Sequence, residues 1–214
     1  MANEEKPDLV VSDVMMPLMS GMEMCMKIKN NIDLCHIPVV LLTALDSVEY
    51  NIEGLQQGAD DYISKPFHAK VLLMRCNNLI RNRLLLKSQL TKQVDFDVQL
   101  LATTSLDQQL LNRIVEIVDQ RMGEPDFDVN ALARELNMGR SSFFTKVKNL
   151  TGMTPSEFMQ NQRINRAATL LREQPDLLVN EISDRLGFSS TVYFSRCFKA
   201  KFGVSPAQFR KKEQ

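Results

Sequence analysis

Three short apolar runs mark the first third of the chain: LVVSDV (9–14), IPVVLLTA (37–44) and DDYISKP (60–66), each bounded by polar residues or proline. Short runs rich in Val and Ile with such borders predict strands. Between them, GMEMCMKIKNN (21–31) and SVEYNIEGLQQG (47–58) carry helical patterning and close on Asn or Gly. Strands alternating with helices predict a parallel α/β sheet. From 69 to 92, Val71, Leu72, Leu79, Leu84, Leu85, Leu86 and Leu90 recur among polar residues, which predicts a helix extending past its own domain. TKQVDFDVQLLATTS (91–105) breaks this pattern and predicts a linker. From SLDQQLLNRIVEIVDQRMG (105–123) onward, the pattern is of helices joined by short Gly, Ser or Pro turns.

Composition sharpens the division. A chain of 214 residues with 44% hydrophobic and 24% charged positions is an ordinary globular mix, long enough for two domains. The net charge of zero conceals an asymmetry: residues 1–127 hold 12 Lys/Arg against 18 Asp/Glu, and 128–214 hold 14 against 8. An acidic half precedes a basic one. Cys25, Cys35, Cys76 and Cys197 lack paired spacing and sit in apolar patterns, as reduced core thiols do. His36 and His68 have no ligand partners at useful spacing. No apolar run approaches the ~20 residues of a membrane helix, and MANEEKPD lacks the apolar centre of a secretion signal. The expected location is cytoplasmic, with no direct membrane contact by this segment.

Candidate chemistry falls at the carboxyl ends of the predicted strands, where parallel sheets place ligands. Asp13 follows LVVS, Thr43 follows VVLL and Lys65 follows YIS. Singly, each residue type is common at strand ends. Together, a carboxylate, a hydroxyl and an ammonium suit a phosphoryl group, with the carboxylate as acceptor and the others stabilising its oxygens. No other catalytic constellation stands out, and the chain is not expected to be an enzyme.

The stretches DLVVSDVMMPLMSG, IPVVLLTA and GADDYISKPF resemble the second half of the flavodoxin-like receiver domain of two-component response regulators. The resemblance implies that Asp13 is the phosphoacceptor, Thr43 the switch hydroxyl, Tyr62 the switch aromatic, and Lys65 the phosphate-contacting lysine before a cis Pro66. Ser20 departs from an aspartate usual there, with little chemical effect expected. A receiver also implies Mg²⁺, here with Asp13 and the Met15 backbone carbonyl as ligands. The acidic residues that complete that site should lie on an earlier strand. Two strands and two helices need roughly 40 residues, and only twelve precede Asp13. The expectation is therefore an incomplete receiver, cut within its sheet, with an incomplete metal site, no cofactor of its own and an uncovered edge at the Asp13 strand that favours intermolecular pairing or poor order.

The basic half contains an internal repeat. Residues 129–158 lie over 179–209, Leu132 on Ile182 and Leu136 on Leu186 at a shift of 50, then Phe143 on Phe194, Val147 on Phe198, Gly152 on Gly203, Pro155 on Pro206 and Phe158 on Phe209 at 51. Each copy reads as helix, tight turn and second helix, the second capped by the polar cluster GRSS or SSTV. Phe143, Val147, Leu150, Phe194, Phe198 and Phe202 recur at helical spacing and are core positions. Two such units joined by SEFMQNQRINRAATLLRE resemble the DNA-binding domain of AraC-type transcription regulators.

By that likeness Ser141, Ser142, Phe144 and Thr145, then Thr191, Val192, Ser195 and Arg196, face base edges, Arg196 pairing with guanine. Lys146, Lys148, Arg163, Lys199 and Lys201 contact phosphates. The expected domains are a partial receiver (1–85), a helical extension and linker (86–106) and an all-α double helix-turn-helix domain (107–214). The expected partners are double-stranded DNA, a histidine kinase or the kinase domain of the same parent chain, and a second copy in a homodimer. A parent could be membrane-anchored through a preceding part. The alternative is a phosphoreceiver or protein-interaction module of a hybrid histidine kinase.

Overall fold

In the computed structural model, the described residues are 7–44, 58–92, 97–124 and 126–213. The chain divides into two compact units, Met1–Leu86 with Leu100–Gln109, and Lys87–Gln99 with Leu110–Gln214.

The first unit is built on β1 (Val10–Asp13), β2 (Val39–Thr43) and β3 (Asp61–Ser64), parallel and in the order β1-β2-β3. Val10 pairs with Val39, and Val40 with Asp61. Four of the five β2 residues are buried, which explains why this strand reads as a continuous apolar run rather than an alternation: a central parallel strand is covered on both faces. Helix α1 (Gly21–Lys29) buries Cys25 and Ile28 against Val39, Leu41 and Ala59. Ser20 caps it, accepting from the Glu23 amide while Glu23 accepts from the Ser20 amide. That reciprocal box gives Ser20 the capping role an aspartate would also fill. The predicted helix at 47–58 lies outside the described residues, apart from Gly58. Helix α2 (Ala69–Lys92) follows β3 with the expected bounds, its residues to Leu86 grouping with the first unit and those from Lys87 with the second.

A polar network braces this unit. The buried Lys29 ammonium pairs with Asp60 at 2.7 Å and donates to the Ile37 carbonyl, and Asp60 also accepts from the Val39 amide. Arg83 of α2 reaches Asp60 at 3.3 Å and donates to the His36 carbonyl. Segment 98–105 keeps more order than a linker requires. Val98–Leu101 forms a 3-10 turn with Leu101 buried, and Thr104 caps helix α3 (Ser105–Arg121), accepting from the Asp107 amide. The Asp107 side chain is fully buried, accepting from Thr103 at 2.9 Å and from the Cys35 thiol at 3.3 Å. These contacts place Leu100–Gln109 with the sheet, whereas Lys87–Gln99 groups with the helices.

The second unit is helical. It holds α4 (Val129–Glu135), α5 (Arg140–Thr151), α6 (Pro155–Glu173), α7 (Val179–Arg185), α8 (Thr191–Phe202) and α9 (Pro206–Glu213). Both short pairs, α4 with α5 and α7 with α8, pack against α6. The sequence repeat is a structural repeat: α7 starts 50 residues after α4, α8 starts 51 after α5, and the inserted residue falls in the turn. Gly152 and Gly203 end α5 and α8 in the left-handed conformation, at φ 78° and 74°. Thr154 with Glu157 and Ser205 with Gln208 then form matching capping boxes before Pro155 and Pro206. Phe143, Val147, Leu150, Phe194 and Phe198 are buried and Phe202 half-buried, with the Phe198 ring 5.3 Å from that of Phe209. One cap differs from expectation. Ser190 caps α8 by accepting from the Tyr193 amide, but α5 starts from Gly139 with no side-chain cap, because Ser141 already lies inside the helix.

Candidate functional site

The strand ends of the first unit bring Asp13 and Lys65 together. Asp13 closes β1, and Lys65, immediately after β3, forms an ion pair with its carboxylate. The other carboxylate oxygen accepts from the Met15 amide at 3.2 Å. The Lys65 contact and then the Met15 amide hold the Asp13 carboxyl below the usual carboxylate value of 3.8. The backbone orders these groups: Val14 donates to the Leu42 carbonyl at 2.8 Å and Lys65 to the Thr43 carbonyl at 2.7 Å. Thr43 ends β2 and is buried. The peptide bond before Pro66 is cis. Tyr62 packs partly buried against the core under α1. Its hydroxyl is buried without a hydrogen-bond partner among the described residues, and burial pushes its pKa up to about 12.

Gly21 belongs to this architecture although no chemical argument from the sequence singled it out. Its amide donates to the Val14 carbonyl at 3.0 Å, and a β-carbon there would lie 2.1 Å from the Asp13 carbonyl oxygen. The glycine lets α1 start directly behind the strand end that presents Asp13.

Mg²⁺ requires an octahedral set of hard oxygen ligands. Among the described residues no group of three or more His, Cys, Asp or Glu side chains converges, and the Asp13 carboxylate is already paired with Lys65. The described donors therefore do not by themselves fit the ion.

In the second unit, α5 and α8 occupy equivalent positions in the two helix pairs. Ser141, Phe144 and Lys148 are exposed on α5, with Ser142 and Thr145 half-buried. Val192, Arg196 and Lys199 are exposed on α8, with Thr191 and Ser195 half-buried. The Arg196 guanidinium lies 5.8 Å from the Tyr193 ring centre, a cation–π distance that leaves its edge donors available. Lys148 and Lys199 are related by the repeat shift of 51 and both face solvent.

Three predicted phosphate contacts are wholly or partly buried. Lys146 is 1% exposed, on the same stripe of α5 as Phe143, Val147 and Leu150. Lys201 donates to the side-chain carbonyls of Asn161 and Asn165 on α6, and burial draws its pKa down to about 8. Arg163 is half-buried on α6, where burial lowers its pKa, and donates a long 3.5 Å bond to the Phe127 carbonyl. Lys146 and Lys201 face inward because helical periodicity turns them onto the core stripe.

The comparisons with known proteins agree with this division. The response regulator receiver domain family matches residues 1–77, and a helix-turn-helix domain family matches 132–212. Histidine kinase P4 of Formosa agariphila is 43% identical over 98% of this chain and 15% of its own length. Response regulator PleD of Caulobacter vibrioides is 43% identical over 40% of this chain and 19% of its own length. The solved C-terminal domain of AraT, a response regulator from Geobacillus stearothermophilus, is 27% identical with a TM-score of 0.44, over 48% of this chain and 84% of that one. The chain thus spans less than a fifth of either curated relative. Among the described residues no helix is long and apolar enough to cross a membrane. The two family matches fall on the two units that the fold separates, receiver sequence on the first and a helix-turn-helix domain on the second.

Proposed function

We propose that this chain binds double-stranded DNA in a sequence-specific way and is the output part of a two-component regulator, not an enzyme. The observation that carries this reading is the structural repeat: two helix-turn-helix pairs mounted on one continuous helix, α6, each presenting an exposed lysine at the same repeat position, Lys148 and Lys199. Two second helices on one connector fit successive major grooves about 34 Å apart on one face of a duplex.

In this reading Ser141, Ser142, Phe144 and Thr145 of α5 and Thr191, Val192, Ser195 and Arg196 of α8 meet base edges. Lys148 and Lys199 pair with phosphates. Arg196 is the residue assigned to guanine, because a guanidinium matches O6 and N7 together. The segments 1–85, 86–106 and 107–214 act as receiver part, connection and DNA-binding part. Asp13 is the phosphoacceptor position, with Thr43, Tyr62 and Lys65 as the groups that respond to a phosphoryl group there.

A histidine kinase is the expected phosphoryl source. Likeness to a histidine kinase over almost the whole chain supports a parent polypeptide that itself contains the kinase, working at the cytoplasmic side. A homodimer reading repeated sites follows from the same scheme. The second reading, a docking module without DNA, has only the receiver part in its favour.

Fluorescence anisotropy with random-sequence duplexes across a salt series tests the choice. DNA binding predicts measurable affinity at low salt that falls steeply as salt rises, because neutralised phosphates release counterions. Binding absent at low salt, with the chain folded, overturns it.

A further inference from the structure

The start of α4, the connector and the turn of the second pair line a half-open cavity of about 290 Å³. Phe127, Met159 and Phe188 give it apolar walls, and Ser156, Ser189 and Arg163 bring polar groups to it. Arg163 is poorly matched there. Among the described residues its buried Nε has no hydrogen-bond partner, and one Nη makes only the long bond to the Phe127 carbonyl.

No carboxylate answers its charge among the described residues. Asp128, the one acid among the described residues that lines the cavity, caps α4, accepting from the Ala131 amide at 2.8 Å and the Asn130 side chain at 3.1 Å. Two other partly buried arginines are treated differently, Arg83 meeting Asp60 and Arg121 meeting Glu124 and Glu135, whereas Arg210 likewise leaves its Nε unpartnered but donates to the Leu177 carbonyl. Burial lowers the Arg163 pKa with no neighbouring charge to offset it. A half-buried cation with a buried, unused donor is costly unless an anion meets it, and the fork of guanidinium donors matches a carboxylate or phosphate.

We propose that this cavity is an oxyanion site, in which one phosphate- or carboxylate-sized group pairs with Arg163 and bridges the two helix-turn-helix pairs. The oxyanion has two sources of the same chemistry: a backbone phosphate of bound duplex, or a free small anion that fixes the spacing of the two pairs before DNA arrives. The first source rests on the DNA-binding reading, and the second does not.

The test uses the intact chain and two variants. Arg163→Gln removes the charge. Ser156→Glu puts a carboxylate at the cavity from the first turn of α6, where acidic residues favour the helix, and stays informative should Arg163→Gln fail to fold. Thermal unfolding is followed as inorganic phosphate replaces chloride at constant ionic strength, and duplex affinity is followed against salt. A saturable, phosphate-specific rise in Tm in the wild type, lost in both variants, supports the free anion. No such rise, but a log–log salt slope smaller by about one in both variants, supports the backbone phosphate. Identical phosphate responses and identical salt slopes in wild type and variants overturn the proposal. Should the wild type bind no duplex, the DNA-binding reading fails and the phosphate titration alone decides the cavity.

Discussion

The Asp13 carboxyl is held below its ordinary value first by Lys65 and then by the Met15 amide. A carboxylate lowered on folding adds stability that is present above the unfolded value of 3.8 and is lost as pH falls through the folded one. Carboxyl NMR titration should therefore place Asp13 below 3.8, and Lys65→Met should return it towards that value. An Asp13 that titrates identically in both proteins would show that the ion pair does not form in solution. At Gly21, a β-carbon would press on the Asp13 carbonyl oxygen, so Gly21→Ala should cost about 1–3 kcal/mol in urea denaturation. An unchanged midpoint would contradict the close approach. The strand-end positions of Asp13, Thr43 and Lys65 were legible in the sequence because each follows an apolar run. Lys146 and Lys201 were misplaced although the signal was present. Lys146 stands three residues after Phe143 and one before Val147, on the core stripe, and Lys201 stands where the repeat puts Leu150 in the other copy. Charge alone suggested exposure, and periodicity pointed inward.

At the scale of elements, the two second helices of the repeat start differently, and this yields a paired prediction. Ser190→Ala removes the side-chain cap of α8 and should cost about 1 kcal/mol. Ser141→Ala, inside a helix whose cap Gly139 makes no side-chain bond, should change thermal stability little. Equal losses would mean that the two copies are capped alike. The docking of segment 100–109 was not legible, because its cause is a long-range contact. Asp107 reads as an ordinary first-turn acid, yet its carboxylate is buried against Thr103 and the Cys35 thiol, 72 residues away in sequence. Leaving those donors unpaired costs about 1–3 kcal/mol. Asp107→Ala should accordingly speed amide hydrogen exchange across 100–109, and unaltered protection there would show that Asp107 does not hold the segment. The strands and the length of α2 were readable in advance since burial on both faces, or on one stripe, leaves a local pattern.

The whole molecule joins an α/β unit whose strand ends gather a paired aspartate and lysine to a helical unit built twice from one pattern. The acidic-to-basic change along the sequence follows that division. The repeat made the second unit readable in detail, as each copy checks the other, whereas the sheet offered no such internal comparison. Selection of bound sequences from a random duplex pool with the intact chain tests the central claim, that two helices of one chain read DNA together. The account predicts two enriched clusters of bases centred about 10–10.5 base pairs apart, with Arg196→Ala erasing preference within one cluster and sparing the other. Recovery of no enriched sequence by the folded wild type, or a uniform loss of affinity in Arg196→Ala with every base preference intact, would contradict it.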